Sequence, residues 1–139
     1  MLELARTEMT VARCFDRPEV LDALPEISGV HACRVAPDEL LLIGAVAAVD
    51  LPAGLVVDET GGWSVWTISG SEAGEAFARL SAIPLRPGFL QGLIGSVPGK
   101  AVVLGDRIHL LVASSVSHHL EARIRAACAD LLPAEADDR

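Results

Sequence analysis

No stretch of this chain constrains its fold more than Val56 to Gly70, which runs on into a helical pattern at Ala73, Ala76, Phe77 and Leu80. Val56 and Val57 open a strand, Gly61-Gly62 has the backbone freedom of a two-residue hairpin turn, and Trp63 to Ile68 returns. On the return, Trp63, Val65 and Thr67 share one face and Ser64, Trp66 and Ile68 the other, so both faces are at least partly covered. Ser69-Gly70-Ser71-Glu72 has the spacing of a capping box, in which serine and glutamate satisfy first-turn amides. The stretch predicts strand, turn, strand and helix.

Towards the N-terminus, residues 9 to 14 alternate weakly as a strand. Asp16 before Pro18 marks the start of a short helix carrying Val20, Leu21 and Leu24. Val30 to Val35 and Leu40 to Gly44 form a hairpin about the Ala36-Pro37-Asp38-Glu39 turn. Residues 45–54 connect two halves. Beyond the helix, Leu90 to Val97 reads as a strand turned by Pro98-Gly99, and Lys100 to Leu104 pairs with Arg107 to Ala113 about Gly105-Asp106 in a type II′ turn. Ser114 or Ser115 caps a last helix with Leu120, Ile124, Ala127 or Cys128, and Leu131 inward. The expected organisation is a degenerate β-α-β-β half over 1–54, a β-β-α-β-β-β-α half over 55–133 and a disordered acidic tail over 134–139. Hairpins mixed with helices give an α+β class with a mostly antiparallel sheet.

Hydrophobic residues make up 51% of the 139-residue chain and charged residues 22%. A small domain has limited interior, so this surplus points to a partner surface. A net charge of -8 with a single lysine, Lys100, argues against nucleic acid and against anionic membranes. The longest apolar run, Leu40 to Val49, is too short to span a bilayer, and no secretory signal is evident, so a cytoplasmic location is expected.

Candidate chemistry is sparse. His118-His119 are adjacent on a helix and diverge by about 100°, unlike an i, i+4 metal pair. Asp58-Glu59 are strand neighbours and point to opposite faces, whereas a general acid/base pair must converge. Ser114, Ser115 and Ser117 are explained by helix capping without a nucleophile elbow. Gly88, Gly92, Gly95, Gly99 and Gly105 match no phosphate-binding motif. Cys14, Cys33 and Cys128 suggest buried thiols rather than a disulfide or zinc framework. No catalytic, cofactor-binding or metal residue is therefore assigned. Trp63 and Trp66 are available as core, as interface anchors or as stacking surfaces for a flat ligand. With Phe89, His118 and His119 they make up the expected interface set.

Pro37-Asp38-Glu39-Leu40-Leu41-Leu42, Val57-Asp58-Glu59-Thr60-Gly61-Gly62-Trp63, Ile68-Ser69-Gly70-Ser71-Glu72-Ala73, Phe89-Leu90-Gln91-Gly92 and Leu110-Leu111-Val112-Ala113-Ser114-Ser115 recur in one order. In that order and spacing the chain resembles the gamma subunit of heterotetrameric sarcosine oxidase, within the wider fold group of the glycine-cleavage aminomethyltransferase. The resemblance implies two ferredoxin-like halves, the first compressed. It also implies a non-catalytic structural subunit of an oxidoreductase complex, packed against larger flavoprotein subunits in a hetero-oligomer that oxidises sarcosine or a related N-methyl amine. FAD, FMN, NAD, zinc and tetrahydrofolate would then be carried by the partner subunits, with no cofactor in this chain. The alternative within the same fold group is a stand-alone tetrahydrofolate-binding or one-carbon transfer protein.

Overall fold

The computed structural model describes residues 1–44 and 51–133; most of the expected 45–54 connector and the expected 134–139 tail lie outside them. The described chain runs β1 (Glu3–Thr7), β2 (Thr10–Phe15), α1 (Pro18–Asp22), β3 (Val30–Ala36), β4 (Glu39–Gly44), β5 (Leu55–Asp58), β6 (Trp63–Ser69), α2 (Ala73–Leu80), β7 (Gly88–Ile94), β8 (Val97–Leu104), β9 (Arg107–Ala113) and α3 (Ser117–Ala127), with 3-10 turns at Thr60–Gly62 and Ser114–Val116. The strands form two mainly antiparallel sheets, one ordered β1-β6-β9-β8-β7 and the other β3-β4-β2-β5. This is the α+β arrangement of ferredoxin-like halves.

The chain divides into two compact units, Glu8–Trp63 and Met1–Thr7 joined to the chain from Ser64 onward. That division differs from the expected boundary at residue 54. β5 pairs with β2 through Cys14↔Val56, so it belongs with the N-terminal strands. β1 pairs with β6 through Ala5↔Thr67, so the first strand belongs with the later ones. Both partnerships join distant segments, which local pattern does not encode.

In the five-stranded unit the helices cover one sheet face. Period-two positions Ile108, Leu110 and Val112 meet the helical stripe Ala73, Ala76, Phe77 and Leu80 together with Leu120 and Ile124. The opposite face is also buried at Val65, Thr67, Val102, His109 and Leu111. β6 and β9 are therefore covered on both sides and read as near-continuous apolar runs. In the other unit Ala12, Cys14, Leu40 and Leu42 pack against Leu21 of α1. Pro18 opens α1 as expected, but Arg17 holds the cap position, while Asp16 Oδ2 accepts the Gly54 amide at 2.6 Å.

Several turn and cap expectations are corrected. Gly61-Gly62 lies in the 3-10 turn, not in a hairpin, because β5 and β6 belong to different sheets; neither glycine has a positive φ. The capping box does not form: Ser69 is in the ladder opposite Glu3, Glu72 takes the cap position without a side-chain bond, and the Ala73 amide reaches Gly70 O at 3.1 Å. The 3-10 turn at Ser114–Val116 likewise takes the place of a serine cap on α3, whose start has no side-chain cap bond. The β7–β8 turn is Gly95-Ser96, both with positive φ (58° and 73°), rather than Pro98-Gly99. Pro98 fits inside β8 because the β9 register starts only at Gly99↔Val112, so no ladder partner there requires its missing amide. The Gly105-Asp106 hairpin forms as expected, with Leu104 opposite Arg107.

Three substitutions test this arrangement by urea unfolding. Phe77→Ala removes a fully buried ring and is expected to cost about 3–5 kcal/mol. At Gly92, φ is 155° and a Cβ would lie 2.8 Å from Ile83 Cδ1, so Gly92→Ala should cost about 1–3 kcal/mol. Gly61→Ala meets no atom within 4 Å and no positive φ, and should stay within about 0.5 kcal/mol of wild type; a loss above 1 kcal/mol would restore the hairpin reading.

Candidate functional site

The segment after β5 is fixed onto β2 by its backbone. The Glu59 amide donates to Val11 O at 2.8 Å, and Thr60 Oγ1 accepts the Val11 amide at 3.0 Å. Asp58 Oδ1 accepts the Thr60 amide at 2.9 Å, and these bonds to Thr60 hold the Asp58 carboxyl below the usual carboxylate range. This is a turn-forming aspartate. Glu59 instead reaches Arg13: its Oε2 accepts from Arg13 Nε at 2.9 Å, while Arg13 Nη1 donates to Glu39 Oε2 at 2.5 Å. Trp63 Nε1 donates to the other oxygen, Glu59 Oε1, at 3.2 Å. Trp63, Glu59, Arg13 and Glu39 thus form one ion-pair and hydrogen-bond array.

All three charged side chains of that array are less than one-third exposed. One guanidinium placed between two carboxylates orders the β2, β4 and β5 ends, and both carboxylates are already engaged. Asp58 and Glu59 do not converge on a common point, so they form no acid/base pair. The array was not foreseen. Its members are 26 and 46 residues apart along the chain, and only the strand register brings them together.

Trp66 has a different fate from Trp63. It is 7% exposed in the helix-side core, and its Nε1 donates to Ser117 Oγ at 3.1 Å. That burial removes it from the expected interface set and from stacking on a ligand, and it occupies Ser117 as a hydrogen-bond acceptor. On the other face of the same sheet, Thr7 and Thr67 hydroxyls lie 2.6 Å apart, and Thr67 Oγ1 lies 2.8 Å from His109 Nδ1. This buried polar chain across β1, β6 and β9 was also missed; its only signal was an isolated histidine between Ile108 and Leu110.

The remaining expected interface residues lie near solvent. Phe89 is half-buried on β7, with Lys100 Nζ 5.8 Å from its ring centroid and 2.9 Å from Gln91 Oε1. His118 is exposed, with Nδ1 3.9 Å from Glu121 Oε1. His119 is also exposed, and its Nε2 donates to Gly95 O at 3.1 Å. The two imidazoles therefore have separate partners.

Cys14, Cys33 and Cys128 are buried as free thiols. Burial pushes the Cys14 and Cys128 thiols up from their ordinary value, the reverse of what a nucleophile needs. Among the described residues no three His, Cys, Asp or Glu side chains group as metal ligands. No described helix is long and apolar enough to cross a membrane.

In structure the chain is similar to a chain of the heterotetrameric sarcosine oxidase from Corynebacterium sp. U-96 in complex with pyrrole 2-carboxylate. The TM-score is 0.79 at 16% identity, covering 96% of this chain and 87% of the matched one. No protein-family model and no curated protein matches by sequence. At that identity the likeness shows a shared fold.

Proposed function

We propose that this chain is a non-catalytic structural subunit, gamma-like, of a multi-subunit flavin-dependent oxidase or dehydrogenase acting on sarcosine or a related N-methyl amine in the cytoplasm. The observation that carries this reading is the fold likeness over 96% of the chain to one chain of a heterotetrameric sarcosine oxidase. The side chains agree with it. The carboxylates of Asp58 and Glu59, the Ser117 hydroxyl and the His119 ring are all engaged in bonds that hold the fold. In this reading FAD, FMN, NAD, zinc and tetrahydrofolate belong to the larger partner subunits. This chain contributes rigid surface to the assembly.

The alternative, a tetrahydrofolate carrier, asks for an accessible aromatic face to stack the pterin. Trp66 is buried with its indole N–H engaged and does not fit that role, while Trp63 is half-buried with its indole N–H on Glu59. Two measurements test the proposal. Co-expression with the products of its neighbouring genes should give a complex with a flavoprotein that co-elutes in size-exclusion chromatography. Titration of the isolated chain with tetrahydrofolate should leave its tryptophan emission unchanged after correction for ligand absorbance. A monodisperse monomer that ignores the flavoproteins would overturn the proposal, and a saturable emission change would favour the carrier.

A further inference from the structure

β1 is held in the five-stranded sheet more lightly than β6 beside it. It lies at an edge, paired on one side only, and none of Glu3–Thr7 is fully buried. Its apolar anchor is Leu2, one residue ahead of the strand, which is fully buried in the helix-side core. The Leu2 amide donates to Leu131 O at 3.0 Å. Leu131 lies in the turn that follows α3, where its own amide and that of Leu132 reach back to Cys128 O at 2.9 and 3.1 Å. Arg79 holds this turn from α2. Its Nη1 donates to Asp130 Oδ1 at 2.6 Å and its Nη2 to Asp130 Oδ2 at 3.2 Å, and Nη1 also donates to Ala127 O at 3.1 Å. The remaining Nε stays within α2, donating to Glu75 Oε1 at 3.1 Å.

We infer that Arg79 is the latch of a local opening unit made of β1 and residues 128–132, two segments that open together. Segments with little buried apolar surface open at a smaller free energy than the whole domain. β1 is such a segment. Its anchor and the turn share the Leu2–Leu131 bond and one core cluster, so neither leaves without uncovering the other. A guanidinium fork on a carboxylate fixes direction as well as distance, and Arg79 thereby fixes where Leu131 O meets the Leu2 amide. Opening of the unit bares the edge of β6 that β1 covers. A bared edge is a template for pairing with another chain, so the latch keeps β6 closed to foreign strands.

Native-state amide hydrogen exchange on the full chain tests this, with the amides of β8 and β9 as the reference for global unfolding. Arg79→Met should speed exchange at Leu2, Leu131, Leu132 and the β1 amides by a common factor of about threefold or more, leaving β8 and β9 unchanged. Asp130→Asn should do the same, and the double variant should match the singles because each removes the same bridge. Glu75→Ala takes away only the partner within α2 and should leave β1 within about twofold of wild type. Faster exchange confined to Leu131 and Leu132, with Leu2 and β1 unchanged, overturns the coupling. A rise shared by β8 and β9, or no rise in either single variant, overturns the latch. A Glu75→Ala effect equal to that of Arg79→Met, or single effects that add in the double variant, overturns the Arg79–Asp130 bridge as its seat.

Discussion

The antiparallel pairing of β1 with β6 is the interaction on which the rest of this structure depends. It takes Glu3 to Thr7 out of the N-terminal segment and places them against Ser69 to Val65. Once Ser69 is in that ladder, it cannot act as a helix cap. The chain leaves β6 through Gly70, whose φ of 118° and amide bond to Asp106 O redirect it into α2. The same pairing aligns Thr7 with Thr67 for the hydroxyl bond that continues to His109. It also places Arg6 where its guanidinium donates to Ser64 Oγ at 3.2 Å.

Features written in local chemistry were legible in the sequence. The Pro37-Asp38 hairpin, the Gly105-Asp106 hairpin and the stripe Ala73, Ala76, Phe77, Leu80 all follow from a few neighbouring residues. Features needing a distant partner were not. Gly61-Gly62 has the composition of a hairpin turn, yet the strands on either side are claimed by β2 and by β1, so the glycines serve a crossover between sheets. The Arg13 array is hidden for the same reason: a basic residue in a weak strand and two glutamates in turns become one cluster only when the register is known. Strand alternation already places Trp63 and Trp66 on opposite faces, and their partners Glu59 and Ser117 show which of them enters the helix-side core.

The saturation of polar groups bears on function as much as on stability. Among the described residues every buried side-chain nitrogen or oxygen has a hydrogen-bond partner. A reacting centre usually keeps some donor, acceptor or strained group poised for substrate. Here the groups that first suggest chemistry are already engaged: Asp58 in its turn, Glu59 on Arg13, Ser117 on Trp66 and His119 on Gly95. Arg79 behaves alike, bridging α2 to Asp130 at 2.6 Å, which holds the Asp130 carboxyl below its usual range. These engagements hold elements of the fold together.

That surface also revises the meaning of the apolar composition. The surplus of hydrophobic residues first pointed outward, but strands buried on both faces absorb much of it: Val65 lies opposite Trp66 and Ile68, and Leu111 opposite Leu110 and Val112. Among the described residues the large apolar side chains that stay exposed, apart from Met1, are Leu55, Val57, Leu85, Leu93 and Leu104. Composition therefore says little about how much surface awaits a partner, whereas position says more. Leu93 and Leu104 share their sheet face with Lys100 and Arg107 in a chain of net charge -8. Cations on such a chain would raise solubility less than acidic residues at the same places.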